Sequence, residues 1–332
     1  PMLVGRIKVM AGLDVAEKRK PHDGRVSLRV GKHEIDIRVS TVPSQYGERV
    51  VLRILDRSNA RFELTDLGMT ANSFASLERL LARPSGIILV TGPTGSGKTT
   101  TLYASIGRLN DRQRNIMTVE DPIEYALDGI GQIQVNPQKG VTFASGVRAL
   151  MRQDPNVILI GEIRDAETAA AAIRAATSGH LVLATLHTTS AIGAVTRLSD
   201  MGVERYLLAP VLEGVVAQRL VRRLCETCRE PDRLTELDAS RLGGLAPVGA
   251  EIFRAKGCDA CQGQGYRGRT AIYEIVEMGG PFEKLIHEST PETELVRLAR
   301  KKSPSLISDG VGRILEGVTT VEEVAAVADA GE

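Results

Sequence analysis

The chain has 332 residues, of which 42% are hydrophobic and 25% charged, and 42 basic against 41 acidic side chains leave a net charge of +1. That is the composition of a globular protein with room for two or three domains, and the lack of a basic field argues against non-specific nucleic-acid binding. No apolar run approaches the roughly 18 residues of a membrane span, no secretory signal is visible, and with aromatics at 3% and no Trp the cores must rest on Leu, Ile, Val and Ala.

Residues 1–60 read as a small α+β domain. Val4 to Ala11 has helical periodicity. Val26-Ser27-Leu28-Arg29-Val30 and Ile35-Asp36-Ile37-Arg38-Val39 alternate apolar with polar residues around Gly31-Lys32. That pattern predicts a hairpin with one buried face. Val50 to Leu55 predicts a third strand, and Asp56-Arg57-Ser58-Asn59 opens a polar linker that includes 61–70. The sequence starts at Pro1 and becomes structured almost at once, so the expectation is a fragment of a longer protein.

Residues 71–221 read as an α/β domain. A helix is expected over 71–82, with strands near 87–91, 116–119, 131–135, 157–161 and 181–185. Strands alternating with helices predict a three-layered, mostly parallel sheet. The apolar run Ile87-Ile88-Leu89-Val90 leads into Gly92-Pro93-Thr94-Gly95-Ser96-Gly97-Lys98-Thr99, and a helix follows from Thr100 to Leu109. Strand, glycine loop and helix start in this order form an anion cradle, because backbone N–H groups and the positive helix end converge on phosphate oxygens. The spacing G-x-x-x-x-G-K-[ST] assigns Lys98 to the β- and γ-phosphates and Thr99 to Mg²⁺. Gly92 through Thr100 is therefore the expected binding segment for a nucleoside triphosphate such as ATP.

Glu120-Asp121-Pro122-Ile123-Glu124 follows the strand 116–119. Strand C-terminal ends line the ligand crevice of an open α/β sheet. Glu120 or Glu124 is therefore a candidate to orient or deprotonate an attacking water, and a helix cap is the plainer alternative. Val157 to Ile160 ends in Gly161-Glu162, where an acid beside a phosphate loop holds Mg²⁺. Asp165 to Ser178 is an alanine-rich helix closed by Gly179. His180 and His187 flank the strand 181–185. A lone strand-end histidine is usually structural, but His187 stands where it could sense the γ-phosphate. Arg148, Arg152 and Arg164 lie near the expected site, and Arg38 and Arg53 lie on strands of the small domain. Arginine suits bidentate phosphate contact, although any single one is more often in a surface salt bridge.

Residues 222–270 hold all four cysteines, as Cys225-Glu226-Thr227-Cys228 and Cys258-Asp259-Ala260-Cys261. Two such knuckles fit tetrahedral Zn²⁺. Two disulfides or a redox pair are the alternatives, and a reducing cytoplasm disfavours the first. Four protein ligands leave no open position, so the metal is expected to fold a lobe and not to catalyse. Residues 271–332 look helical.

Together these motifs resemble the secretion superfamily of hexameric phosphate-loop ATPases, and most closely the assembly ATPases of type II secretion, the general secretion pathway protein E family. The resemblance covers nearly the whole chain. It rests on Arg6 to Ala11, Leu13 to Arg19, Asp23-Gly24-Arg25, Arg38 to Thr41, Gly47 to Arg53, the phosphate loop, Thr118 to Glu124, Leu150 to Asp165, Gly179 to Thr188, Gln218 to Cys225, the cysteine knuckles and Gly268 to Glu274. The segment Ser303 to Ile307 departs from the usual family sequence. Membership would imply a RecA-like core, a PAS-like small domain and a homo-hexamer in the cytoplasm. It would imply docking on an inner-membrane platform through a further N-terminal domain. Arg38 and Arg53 match the family's nucleotide-facing arginines, which serve a neighbouring subunit, and Arg269 matches another functional arginine. Pseudopilus assembly and protein export would be the output. The type IV pilus extension ATPases share the same local chemistry. A nucleic-acid translocase and a non-hydrolysing nucleotide-gated scaffold are more distant readings.

Overall fold

Alternation of apolar and polar residues builds the first part of the chain, and parallel β/α alternation builds the rest. The computed structural model describes residues 2–31, 33–56 and 63–328. It divides into two units, Pro1–Arg61 with Glu124–Ala126, and Phe62–Ile123 with Leu127–Glu332.

In the first unit, α1 (Met2–Met10) precedes an antiparallel meander of β1 (His22–Val30), β2 (His33–Ser44) and β3 (Gly47–Asp56). The expected helix and all three strands are present. The strands run further than the alternation suggested, because the ladder continues through polar residues such as Asp23 and Glu48. Ala11, Val26 and Val39 form the small core. The opposite face carries Arg25, Arg38 and Arg53 side by side in register. Lys8 is fully buried, where its ammonium donates to the Glu17 carbonyl (2.7 Å) and pairs with Glu48. Of the expected linker, residues 57–62 lie outside the described residues, and Leu64–Leu67 forms a single 3₁₀ turn.

The second unit is ordered α2 (Ala71–Leu81), β4 (Gly86–Thr91), α3 (Lys98–Leu109), β5 (Ile116–Glu120), β6 (Gly131–Gln134), α4 (Phe143–Leu150), β7 (Val157–Ile160), α5 (Ala166–Thr177), β8 (Leu181–Leu186), α6 (Gly193–Asp200), α7 (Arg205–Leu208) and β9 (Leu212–Leu224). It continues through β10 (Glu230–Arg233), α8 (Glu236–Arg241), β11 (Glu251–Arg254), β12 (Tyr266–Glu277), α9 (Pro281–His287), α10 (Glu292–Arg300), α11 (Leu306–Leu315) and α12 (Val321–Ala328). The sheet order is β12-β9-β4-β8-β7-β5-β6, parallel throughout except for β12 on β9. The five strands expected from sequence are all here.

Strands β9 and β12 were not foreseen. Leu212 to Leu224 carries apolar residues at spacings that suit helix and strand alike. The expected limits at 221/222 and 270/271 fall inside these two strands. The cysteine segment is thus an excursion between two core strands, and its long loop is filled by the β10–β11 hairpin and α8.

Both faces of the sheet are buried, as a parallel sheet requires. Ile87 and Leu89 pack with α4, α5 and α6, where the small side chains of Ala169, Ala172 and Ala176 let α5 lie close. The other face meets α2. Gly214, in register with Ile88, leaves room there for Leu80, and a Cβ at 214 would stand 2.6 Å from both Leu80 methyl groups. Among the described residues no helix is long and apolar enough to cross a membrane.

Glycine inside a strand normally costs stability relative to alanine, so Gly214→Ala would ordinarily help. Here overpacking against Leu80 dominates, and the variant is expected to lose about 1–3 kcal/mol. Chemical denaturation measures this. Wild-type stability would mean that Leu80 swings aside.

Candidate functional site

The site begins where β4 ends. The chain leaves the sheet at Thr91, turns through residues 92–97, and enters α3 at Lys98. Gly92 (φ 150°) and Gly97 (φ 89°) occupy backbone conformations that favour glycine. Both also lie against β9. A Cβ at 92 would stand 2.6 Å from the Gln218 carbonyl oxygen, and one at 97 would stand 3.1 Å from Gln218 Nε2. The loop can pass this strand only without side chains at those two positions. Pro93, Thr94 and Gly95 are exposed, Ser96 is buried, and Thr99 is exposed in the first turn of α3, with Thr100 half-buried beside it.

Lys98 is buried inside its own loop. Its ammonium donates to the carbonyls of Gly92 (2.7 Å) and Pro93 (2.9 Å). Burial lowers its pKa to about 8, against the opposing pull of the Glu162 carboxylate. A cation held by neutral carbonyls in a water-poor loop is poised to exchange them for an anion.

Glu162 follows β7, and His187 follows β8, so neighbouring parallel strands deliver both. Their side chains meet, with His187 Nε2 lying 2.9 Å from Glu162 Oε1. His187 Nδ1 lies 3.4 Å from Lys98 Nζ and 3.3 Å from the Gly92 carbonyl oxygen. Arg164 Nε donates to Glu162 Oε2 (2.7 Å). Thus Lys98, Glu162, Arg164 and His187 gather around one loop. By contrast, His180 Nδ1 lies 2.8 Å from the Ala175 carbonyl oxygen at the end of α5, a structural contact.

Other expected residues are engaged elsewhere. Glu120 is buried and both of its oxygens are occupied. The Tyr103 hydroxyl donates to one, and Thr118 Oγ1 (2.6 Å) and Gln132 Nε2 (3.1 Å) donate to the other. Glu124 pairs with Arg38 (3.2 Å) within the first unit. Arg148 pairs with Glu167 (2.8 Å) on α5, and Arg152 donates to the Arg148 carbonyl (2.8 Å). The first contact holds α4 to α5, the second lies at the C-terminal end of α4, and neither involves the loop. Arg53 is exposed in the arginine row of the first unit, and Arg269 is exposed beside a register shift between β12 and β9.

Two residues at the site were not singled out from sequence. Gln218 and Arg219 are adjacent on β9 and both buried. Gln218 bonds to the phosphate loop and α3, whereas Arg219 Nη2 donates to the Thr189 carbonyl (2.5 Å) in the loop after His187. The signal was a polar pair inside the apolar stretch from Val215 to Val221, since buried polar groups need partners.

The four cysteines converge at the other end of the excursion. All are free thiols, and their sulfurs lie within 4.8 Å of one another. Three of the sulfur separations are 3.9 Å (Cys225–Cys258), 3.8 Å (Cys228–Cys261) and 3.8 Å (Cys258–Cys261). A zinc tetrahedron with bonds of about 2.3 Å has sulfur–sulfur edges of about 3.8 Å, so the cage fits this ion. Backbone amides point at the sulfurs as they would at thiolates. The amides of Cys258 and Gly265 each donate to Cys261 Sγ at 3.1 Å. Burial raises the Cys261 thiol, but these bonds outweigh it and hold the pKa at about 6. Burial dominates at Cys228 and pushes it up to about 12. The lobe is tied to the C-terminal helices by Arg229, which donates to the Gly317 carbonyl (2.6 Å), and by Arg254, which pairs with Glu322 (2.8 Å).

Comparison with known proteins agrees with this geometry. A sequence profile of the family described as "Type II/IV secretion system protein" matches residues 1–326. The chain is 58% identical over 323 residues to "Type II secretion system protein E" of Pseudomonas aeruginosa, covering 97% of this chain and 64% of that protein. It is 52% identical over 323 residues to "Type II secretion system ATPase E" of Vibrio cholerae, with the same coverage of each. It therefore spans less than two thirds of the length of these relatives. Among solved structures, the pilus retraction motor PilT with bound ADP aligns with a TM-score of 0.69 and 28% identity, over 93% of this chain and 78% of that one. The Legionella pneumophila ATPase DotB aligns with a TM-score of 0.71 at 21% identity, over 94% of this chain and 78% of that one, a likeness of fold. A glycine loop at the end of a parallel strand, an acid and a histidine from the next two strands, and near full-length matches at more than half identity lead to one conclusion: this chain belongs to the type II/IV secretion system protein family.

Proposed function

We propose that this chain is the catalytic part of a Mg²⁺-dependent ATPase that drives pseudopilus assembly and protein export in type II secretion. One observation carries the proposal: Lys98 is held inside an anion-accepting loop within reach of His187, which contacts Glu162. On nucleotide binding, Lys98 exchanges the Gly92 and Pro93 carbonyls for phosphate oxygens. The amides of the loop and the N-terminal end of α3 add their partial charges. The exposed Thr99 hydroxyl and the Glu162 carboxylate are the groups that would hold Mg²⁺, which supplies positive charge to the phosphates when bound. Arg164 steadies Glu162, and His187 joins Glu162 to the loop. Glu120 is committed to three donors and so anchors α3 on β5, which leaves Glu124 as the better candidate for preparing the attacking water.

The finer assignments follow from family membership. We read the second unit as RecA-like and the first as PAS-like, consistent with their parallel and antiparallel sheets. We read Arg38 and Arg53 as serving nucleotide across subunits of a homo-hexamer, and Arg269 as a further nucleotide-binding arginine. Arg148 then acts by bracing α4 against α5, and Arg152 by closing the end of α4. The protein would act in the cytoplasm, at the inner membrane through platform proteins. A type IV pilus extension ATPase is the second reading. The pilus retraction motor is 28% identical against 58% for the secretion relative, which supports the first reading.

Lys98→Ala is expected to lower ATP turnover about 100-fold or more, the scale of losing one preorganised charge contact. Steady-state phosphate release near the wild-type rate would count decisively against the proposal. The affinity for Mg-ATP is also expected to depend on pH. Lys98 is a cation below its pKa of about 8 and neutral above it. A triphosphate binds the cation, so affinity falls as pH rises past 8, by at most about tenfold per unit. Calorimetry from pH 7 to 9 measures this, and a flat profile would mean that Lys98 titrates higher. For the cysteines we expect about one zinc per chain by elemental analysis. Cys225→Ser should lose the metal and loosen the lobe from Gly317 and Glu322, making residues 225–265 sensitive to protease. A metal-free chain with an intact, protease-resistant lobe would exclude a structural zinc.

A further inference from the structure

β9 runs beside β4 and pairs with it as far as Ala217, opposite Thr91. Beyond this point β4 becomes the phosphate loop, whereas β9 continues and pairs with β12. Gln218 is the first residue past the shared register, so its side chain stands against the loop. It is 1% exposed, and both ends of its amide are used. Nε2 donates to the Ser96 carbonyl (2.7 Å), and Oε1 accepts from Thr101 Oγ1 (2.8 Å).

We propose that Gln218 is a positioning residue for nucleotide binding, fixing the peptide between Ser96 and Gly97 and tying it to the first turns of α3. The inference rests on the nucleotide reading above. In a planar trans peptide the carbonyl and the following N–H point in opposite directions. Holding the Ser96 carbonyl toward β9 therefore turns the Gly97 N–H away from β9, toward the concave side of the loop. Gly97 has no side chain to hold this orientation itself. Its left-handed conformation permits several orientations, and Gln218 selects one. The Ser96 carbonyl also keeps the amide from flipping, because a flip would set Oε1, an acceptor, against that acceptor, and in the orientation kept Thr101 Oγ1 donates to Oε1. The next residue acts likewise on the other loop of the site, since Arg219 holds the Thr189 carbonyl.

The test compares Mg-ATP binding by wild type, Gln218→Met and Gln218→Glu. Methionine keeps the bulk and loses both bonds, so affinity is expected to drop about tenfold, the worth of one or two hydrogen bonds. The loss should appear in Kd and KM, with kcat for saturated enzyme changed less. Glutamate separates positioning from packing. Ionised, it still accepts from Thr101 but repels the Ser96 carbonyl. Protonated, it donates again. The affinity of Gln218→Glu relative to wild type should therefore recover as pH falls from 7 to 5. A folded Gln218→Met protein that binds within twofold of wild type, or a Gln218→Glu protein whose relative affinity ignores pH, overturns the proposal. If Gln218→Met does not fold, Gln218→Glu with its pH profile decides alone. If wild type itself binds no Mg-ATP, the nucleotide reading has failed, an outcome distinct from both.

Discussion

The constraint on which the rest depends is that β4, β7, β8 and β9 are parallel, so their carboxyl ends meet at one edge of the sheet. Each strand hands over one component there. β4 gives the glycine loop, β7 gives Glu162, β8 gives His187, and β9 gives Gln218 and Arg219. None of these residues is near another in sequence except the last pair. What aligns them is the register of buried, largely apolar strands, which tolerates no slip because both faces are packed. The fully buried Ile88, Leu89, Val182 and Ile160 thus fix the site as firmly as its polar residues do.

The cysteine excursion answers a different problem. Residues between β9 and β12 leave the sheet and must return antiparallel beside the same strand. The excursion's own hydrophobic content is small, with Leu234, Leu242 and Ile252 among its few buried apolar side chains. A segment of that size closes poorly without a covalent or metal staple. Four sulfurs at its neck lie close enough together to hold a metal ion that would supply one. The Arg229–Gly317 and Arg254–Glu322 contacts then carry that rigidity to the chain around α12. The staple is remote in function from the loop but shares its strand, since Cys225 follows β9 directly.

Much of this was legible because the informative signals are local. The phosphate loop is eight consecutive residues, and the knuckles are two residue pairs at fixed spacing. Four of the five expected strands, β4, β5, β7 and β8, are short, largely apolar runs. What was not legible is non-local. Glu120 looked like an exposed strand-end acid, yet Tyr103 on α3, Gln132 on β6 and its own neighbour Thr118 close over it. Arg148 and Arg152 looked close to the site in sequence, but Arg148 pairs with Glu167 and Arg152 bonds back to the Arg148 carbonyl. Lys8 sits on a short helix as a surface lysine would, and the Glu17 carbonyl and the Glu48 carboxylate together make its burial tolerable. Strand β9 was hidden because its apolar residues satisfy two periods at once.

The hydrogen bonds around His187 show how the parts of the site are linked. Glu162 is a carboxylate and accepts, so the His187 Nε2 facing it carries a proton. In the neutral ring Nδ1 is then a bare acceptor. Such an acceptor suits the Lys98 ammonium at 3.4 Å and not the Gly92 carbonyl oxygen at 3.3 Å. In the imidazolium the preference inverts, because both nitrogens donate, and the Gly92 carbonyl becomes the better partner. Lys98 cannot leave its loop carbonyls without freeing that same Gly92 oxygen. Lys98, the Gly92 carbonyl and Glu162 are thus linked through a single imidazole.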